Sequence, residues 1–265
     1  MTMKRNHTGF ALSGGFIKGI AHLGMMQAFY EYNIRPDIFS GTSAGAIASV
    51  FLADGKQPFE VMELFLCRSF TDLAKVRPDK AGIFKLDYFM DFMRSNLKTR
   101  NLEDLPIPVI VTATDLDHGK CVHFTRGEIG RRVAASCCQP VLFAPVKLKG
   151  IHYVDGGIFM NLPVSPIRNQ CEKVIALSVY SMLDEKYSLN LVNVASRAFH
   201  FMFKANMEKE FAQADLVVSP QGLEQFSNRE FNRAEEIFSI GYFETLKILD
   251  RIDIKEYNKI DYGKK

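Results

Sequence analysis

The sequence predicts a single α/β domain with a central, mostly parallel sheet flanked by helices. Apolar strand-like runs alternate with helical patterns through the first third of the chain, the arrangement that builds parallel sheets. Glycine-rich turns mark the first two strand-to-helix transitions, at Gly14-Gly15 and at Gly41 to Gly45. A length of 265 residues supplies a sizeable core without forcing a second domain. No internal repeat or linker-like shift divides the chain. Its motifs fall within residues 9–164, further strands and helices within 165–252, and a polar tail within 253–265.

Residues Gly9 to Ser13 read as a strand entering the loop Gly14-Gly15-Phe16-Ile17-Lys18-Gly19. A helix is expected from Ile20 to about Tyr32, where Ile20, Leu23, Met26, Gln27 and Tyr30 recur at near-helical spacing. A second short apolar run ends at Gly41-Thr42-Ser43-Ala44-Gly45, and a helix follows from Ala44. Helical patterns cover 59–70 and 86–97. In the latter, Leu86, Phe89, Met90 and Met93 share a face suited to the core or to a lid. Val109 to Thr114 is a buried strand, and Asp115 to Lys120 turns into Cys121 to Phe124. Strands are expected near Ile151, at Val174 to Val179 and at Leu216 to Val218. Between the last two lies a long helix over 191–212, continuous or broken, rich in Phe and Met. It fits a packed helix, a pocket wall or a partner surface. A final helix is expected over 232–252.

The chemistry concentrates in three places. Gly41-x-Ser43-x-Gly45 between a strand and a helix fits a nucleophile elbow, with the serine raised on a sharp turn. Gly41 and Gly45 are required where a Cβ would crowd that turn, and the helix N-terminus favours negative charge near Ser43. The Gly14-Gly15 loop exposes consecutive N–H groups, as a phosphate site or an oxyanion hole would need. Neither the dinucleotide fingerprint nor a P-loop is present. The elbow in the next unit therefore favours the oxyanion hole. Asp155-Gly156-Gly157 ends a strand and is either an ordinary turn or an approachable carboxylate. A serine nucleophile needs a base. None of the six histidines sits in a glycine-marked setting, whereas Asp155 does, and burial would raise its pKa toward a useful range. An alternative α/β-hydrolase triad would use Ser43, Asp155 and His200 in that chain order.

These blocks resemble the patatin-like phospholipase family of serine lipid acyl hydrolases. The resemblance is carried in order by Leu12 to Gly24, by Gly41-Thr42-Ser43-Ala44-Gly45, by Ala135-Ser136 with Pro145 downstream, and by Asp155-Gly156-Gly157 with Asn161-Leu162-Pro163. It implies a three-layer sandwich and a Ser43–Asp155 dyad in place of a triad. It also implies oxyanion donors at Gly14, Gly15 and Phe16, and a basic loop residue at Lys18. Phe16 stands where the family usually has a third glycine, so its backbone must accept the loop's dihedrals and its ring must find a place. The same residues would serve acyl transfer, or a lipid-binding regulatory protein without turnover.

Hydrophobic residues make up 47% and charged residues 24%, the balance of an ordinary globular domain. A net charge of +3 argues against nucleic acid and against a strong electrostatic membrane anchor. No apolar run reaches the roughly 20 residues of a membrane span. The N-terminal residues lack a signal-peptide pattern, so a cytoplasmic setting is expected. The five cysteines fit free thiols, and Cys137-Cys138 lacks the spacing of a metal or redox site. Asp115, Asp117 and His118 suit a hydrogen-bonded turn better than a metal, so no metal or other cofactor is assigned. Twenty-two Phe and 11 Met with no Trp are compatible with a fatty acyl partner and equally with core packing. A lipid ester substrate implies at most transient contact with a membrane surface.

Overall fold

The computed structural model describes residues 6–66, 75–79, 82–180, 189–226 and 230–257. Strand β1 (Asn6–Leu12) pairs in parallel with β2 (Ile38–Thr42) on one edge and with β9 (Cys171–Leu177) on the other. β10 (Leu216–Val218) extends the sheet beyond β9, and β5 (Val109–Asp115) extends it beyond β2, both in parallel. Beyond β5 the pairing turns antiparallel, through β6 (Lys120–Phe124), β8 (Ile151–Asp155) and β7 (Val146–Leu148). The result is one eight-stranded mixed sheet.

Its two faces sort the strand residues with a period of two. Phe10, Leu12, Phe39, Val109, Val111, Ile175 and Leu177 join the larger core, which also holds α1 (Ile20–Glu31), α2 (Ala44–Ala53), α3 (Pro58–Leu66) and α8 (Ala234–Leu249). Ala11, Ile38, Ile110, Val174 and Ala176 face the other way, against Leu162, Ile167 and Met207. That second layer contains α6 (Ser165–Arg168) and α7 (Leu191–Phe211). Helices therefore cover both faces, the three-layer sandwich expected. β1, β2 and β5 are buried at nearly every residue because both of their faces are covered. α1 is buried on most sides for a related reason: α8 lies against it so closely that a Cβ on Gly24 would collide with the Phe238 carbonyl.

Several boundaries differ from the sequence reading. The 59–70 helix is seen as α3, and residues 67–70 lie outside the described residues. The 86–97 helix is α4 (Asp87–Asn96), and the helix after β6 is α5 (Ile129–Cys137). The 191–212 helix is continuous over 21 residues. The 232–252 helix opens with a 3-10 turn at Phe231–Arg233 and ends at Leu249. A two-stranded hairpin, β3 (Lys75–Asp79) with β4 (Gly82–Lys85), was not expected. Its Phe84 exchanges backbone hydrogen bonds of 2.8 and 2.9 Å with Leu142 and Ala144.

The start of the polar tail is docked: Tyr257 is buried, its carbonyl accepts from the Thr8 hydroxyl at 3.1 Å, and the Lys173 ammonium lies 5.4 Å from its ring. Asp115 accepts from His118, and Asp117 from His152, as a hydrogen-bonded turn requires. Among the described residues, no helix is long and apolar enough to cross a membrane.

Candidate active site

Strand register brings the two chemical motifs together. A strand has two edges, and β6 occupies one edge of β5 from Val111 to Asp115. β2 and β8 must therefore share the opposite edge, since both pair with residues that β6 also contacts. β2 runs parallel to β5 and ends at Thr42 beside Thr112; β8 runs antiparallel and ends at Asp155 beside Ala113. The C-terminal ends of the two strands meet head-on at adjacent residues of β5. Ser43 leaves one and Asp155 closes the other, so the sheet itself sets their separation.

Ser43 has φ 52° and ψ −120°, the strained conformation of an elbow. The glycines on either side permit it. A Cβ on Gly41 would lie 2.6 Å from the Ala46 nitrogen, and one on Gly45 would collide with the Leu12 carbonyl. Ser136 on α5 holds the turn from the other side: its hydroxyl accepts from the Ser43 N–H at 2.8 Å and donates to the Thr112 carbonyl at 2.6 Å. Both bonds are fully buried. Ser136→Ala orphans a buried donor and a buried acceptor, and is expected to destabilise the fold by about 2–4 kcal/mol in urea unfolding while lowering activity more than Ser49→Ala does.

Asp155 is buried, with Oδ1 accepting from the Gly157 N–H at 2.8 Å. The Ser43 hydroxyl lies near enough to this carboxylate to favour its charged form. Desolvation pushes the carboxyl up from 3.8 to about 6, against the opposing pull of the Gly157 N–H and the Ser43 hydroxyl. Gly156 lies so near β5 that a Cβ there would strike the Thr112 carbonyl, which explains one glycine of the block. Gly157 lies against the ring of Phe203 on α7, with room for no side chain.

The glycine loop corrects one expectation. The Gly14 N–H is committed to the Asn161 carbonyl at 3.0 Å, so it anchors the loop and does not point at an incoming oxygen. Among the described residues, the Gly15 and Phe16 N–H groups have no such partner. Phe16 adopts φ 52°, which accounts for the glycine usual at this position. Its ring lines an apolar cavity of about 140 Å³ beside Ser43. Ile20, Leu23, Ile47, Phe65 and Phe89 also line it, so the stripe of α4 forms a wall. Cys137 lines it too, and burial drives its thiol well above the usual range. Cys138 is buried, and Cys121, Cys137, Cys138 and Cys171 are free thiols.

On its other side Ser43 borders a small polar recess of about 20 Å³, shared with Asp155, Lys18, Asn161, Tyr180 and His200. Lys18 is buried there. Burial, with Lys18 and Arg197 nearby, lowers the pKa of His200 and keeps its imidazole neutral at pH 7. Among the described residues the His200 ring makes no hydrogen bond to Ser43 or Asp155, although all three line this recess.

Two residues of the site were missed by sequence reasoning. Asn206 on α7 accepts from the Asn161 N–H at 2.8 Å and donates to the Gly157 carbonyl at 2.7 Å. With the Gly14–Asn161 bond, this ties the glycine loop to the Asp-Gly-Gly loop. No local signal marks Asn206, because its partners lie about 45 residues away in sequence. Ser136 had a signal in the Ala135-Ser136 block, but its bridging role requires the fold.

Known proteins place the chain. An uncharacterized NTE family protein of Mycobacterium tuberculosis is 33% identical over 172 residues, covering 64% of this chain and 48% of that protein. Lysophospholipase NTE1 of Saccharomyces cerevisiae is 25% identical over 275 residues, covering 88% of this chain and 16% of that protein. The chain thus spans about half the length of the mycobacterial relative and a smaller share of the yeast one. The crystal structure of VipD from Legionella pneumophila superposes with a TM-score of 0.61 at 17% identity, over 92% of this chain and 67% of VipD, a likeness of fold. A family-wide sequence description, Patatin-like phospholipase, matches residues 10–167. Since that match covers more than half of its length, the chain belongs to the patatin-like phospholipase family.

Proposed function

We propose that this protein hydrolyses acyl esters of lipids through a Ser43–Asp155 dyad. The observation that carries the reading is the meeting of Ser43 and Asp155 at adjacent residues of β5, with Ser43 lining an apolar cavity. Asp155 takes the hydroxyl proton as the Ser43 oxygen attacks the ester carbonyl. The oxyanion is received by the Gly15 and Phe16 N–H groups, with Gly14 bracing the loop. One such donor is worth ~3 kcal/mol of barrier, so the positive-φ geometry at Phe16 matters. Asp155 then protonates the leaving alcohol, which departs through the polar recess beside Lys18. Water, deprotonated by Asp155, releases the fatty acid from Ser43. The acyl chain occupies the cavity lined by Phe16, Ile47 and Phe89. The relative named above as a lysophospholipase favours a lipid ester over a peptide or a sugar ester.

The test is p-nitrophenyl ester hydrolysis across chain lengths, without added metal. Ser43-dependent release is expected, with kcat/KM rising from acetate to medium-chain esters as the cavity fills. Equal rates at every length would detach the cavity from the acyl chain. Absence of release with any ester, together with no labelling by a fluorophosphonate, would favour a lipid-binding protein without turnover.

A further inference from the structure

The apolar cavity beside Ser43 has a direction and, among the described residues, an end. α1 and α2 follow the parallel strands β1 and β2, and their first turns touch: a Cβ on Gly19 would lie 2.5 Å from the Ala44 Cβ. From Ser43 the cavity runs along α2 past Ala44, Ile47 and Ala48, a single helical row. The next member of that row, Phe51, does not line the cavity and is fully buried. α4 repeats the pattern. Leu86 and Phe89 line the cavity, and Phe92, one turn on, is buried outside it. Both rows stop at the same cluster of rings. Phe51 and Phe92 have centroids 6.1 Å apart, and Phe65 of α3 packs edge-on against them at 6.2 and 5.3 Å. Of these three rings, only Phe65 lines the cavity.

We infer that Phe65, backed by Phe51 and Phe92, is the floor of the acyl site and limits the chain it accepts to about eight carbons. Ala48 lies five residues beyond Ser43 and Phe51 eight, which sets the floor ~7.5–12 Å down the helix at 1.5 Å per residue. An extended chain of C–C bonds of about 1.5 Å advances ~1.25 Å per carbon, so roughly six to ten carbons reach that depth. The floor resists displacement because interiors are close-packed, and the rings behind Phe65 are themselves buried. Ala48 matters for the opposite reason. It is a small residue partway down the channel, and a larger side chain there closes the channel early. That the occupant is an acyl chain rests on the proposed hydrolase activity; the depth of the cavity does not.

The test is calorimetric binding of saturated fatty acids, from hexanoate to tetradecanoate, to the full chain below their micelle concentrations. Binding needs no turnover, so the depth is read whether or not the protein is a hydrolase. The carboxylate is common to the series, which leaves chain length as the variable. Affinity is expected to rise about fourfold per carbon up to octanoate and then to level off. Phe65→Ala should move that break about three carbons longer and tighten dodecanoate binding about tenfold or more. Phe65→Leu, the milder change, should move it in the same direction by less. Ala48→Leu should move it shorter and weaken octanoate binding about tenfold. Phe59→Ala, which removes an exposed ring from the same helix, should leave the break in place. Thermal melts matching the wild type exclude unfolding as the cause. The kcat/KM values for p-nitrophenyl esters should break at the same lengths in each protein. Shifted breaks in binding without ester release from any protein would keep the floor and reject the hydrolase. Ester release with affinity climbing unbroken through tetradecanoate would do the reverse. The proposal is also overturned if the wild type binds none of the acids, if neither the Phe65 variants nor Ala48→Leu move the break, or if Phe59→Ala moves it as far.

Discussion

Ser43→Ala is expected to lower ester hydrolysis by about 10^4-fold or more, to the level left by binding and oxyanion contacts alone. On the proposed mechanism the change removes the atom that forms the acyl-enzyme, so the loss should fall on kcat and leave no acylated protein in an acid-quenched mass spectrum. The fold should persist, because the elbow is held by the Ser43 N–H bond to Ser136 and by the glycines at 41 and 45, none of which needs the hydroxyl. Hydrolysis within tenfold of the wild type would place the nucleophile elsewhere.

Asp155→Asn is expected to cost a comparable factor in activity and to stabilise the fold. The carboxyl titrates near 6 in the folded protein against 3.8 as the ordinary value, so the native state holds its proton over a range where the unfolded chain has released it. Below about pH 4 both states are protonated and the shift has no effect. Between about 4 and 6 stability falls as pH rises, and above 6 the full penalty of about 3 kcal/mol remains. Asparagine avoids this penalty, since its oxygen can accept from the Gly157 N–H and its amide can donate to Ser43. Urea unfolding of the two proteins should therefore diverge by about 1–3 kcal/mol at pH 8 and converge near pH 4. Activity has the opposite dependence: kcat/KM should fall as pH drops through 6, as the base becomes protonated. A variant less stable than the wild type at pH 8 would contradict the buried, proton-holding carboxyl.

Much of this site was legible because it depends on local sterics. Gly41, Gly45 and Gly156 mark places where backbone lies against backbone, and such demands are written residue by residue. The sheet was legible because a doubly covered strand such as Val109 to Asp115 opens on a β-branched apolar run, Val109-Ile110-Val111. What escaped depends on pairing between distant segments. The head-on meeting of β2 and β8 along β5 follows from register, which no single strand encodes. The commitment of the Gly14 N–H to Asn161, and the Asn206 brace behind it, join loops nearly 150 and 45 residues apart. The pairing of β3 with β4 escaped because Lys75-Val76-Arg77-Pro78-Asp79 has neither alternation nor β-branched density. Tyr257 was hidden in a polar tail whose composition gives no sign that one ring is docked beneath Lys173.

The central claim is that Asp155 activates Ser43 without an intervening histidine. The most direct measurement is the rate of fluorophosphonate labelling against pH, in the wild type, Asp155→Asn and His200→Ala. One label per chain at Ser43, a rate that rises with an apparent pKa near 6, collapse of that rate in Asp155→Asn, and retention of the pH profile in His200→Ala are the predicted results. Labelling that survives in Asp155→Asn with its pH profile intact, or that disappears in His200→Ala as fully as in Ser43→Ala, would contradict the dyad.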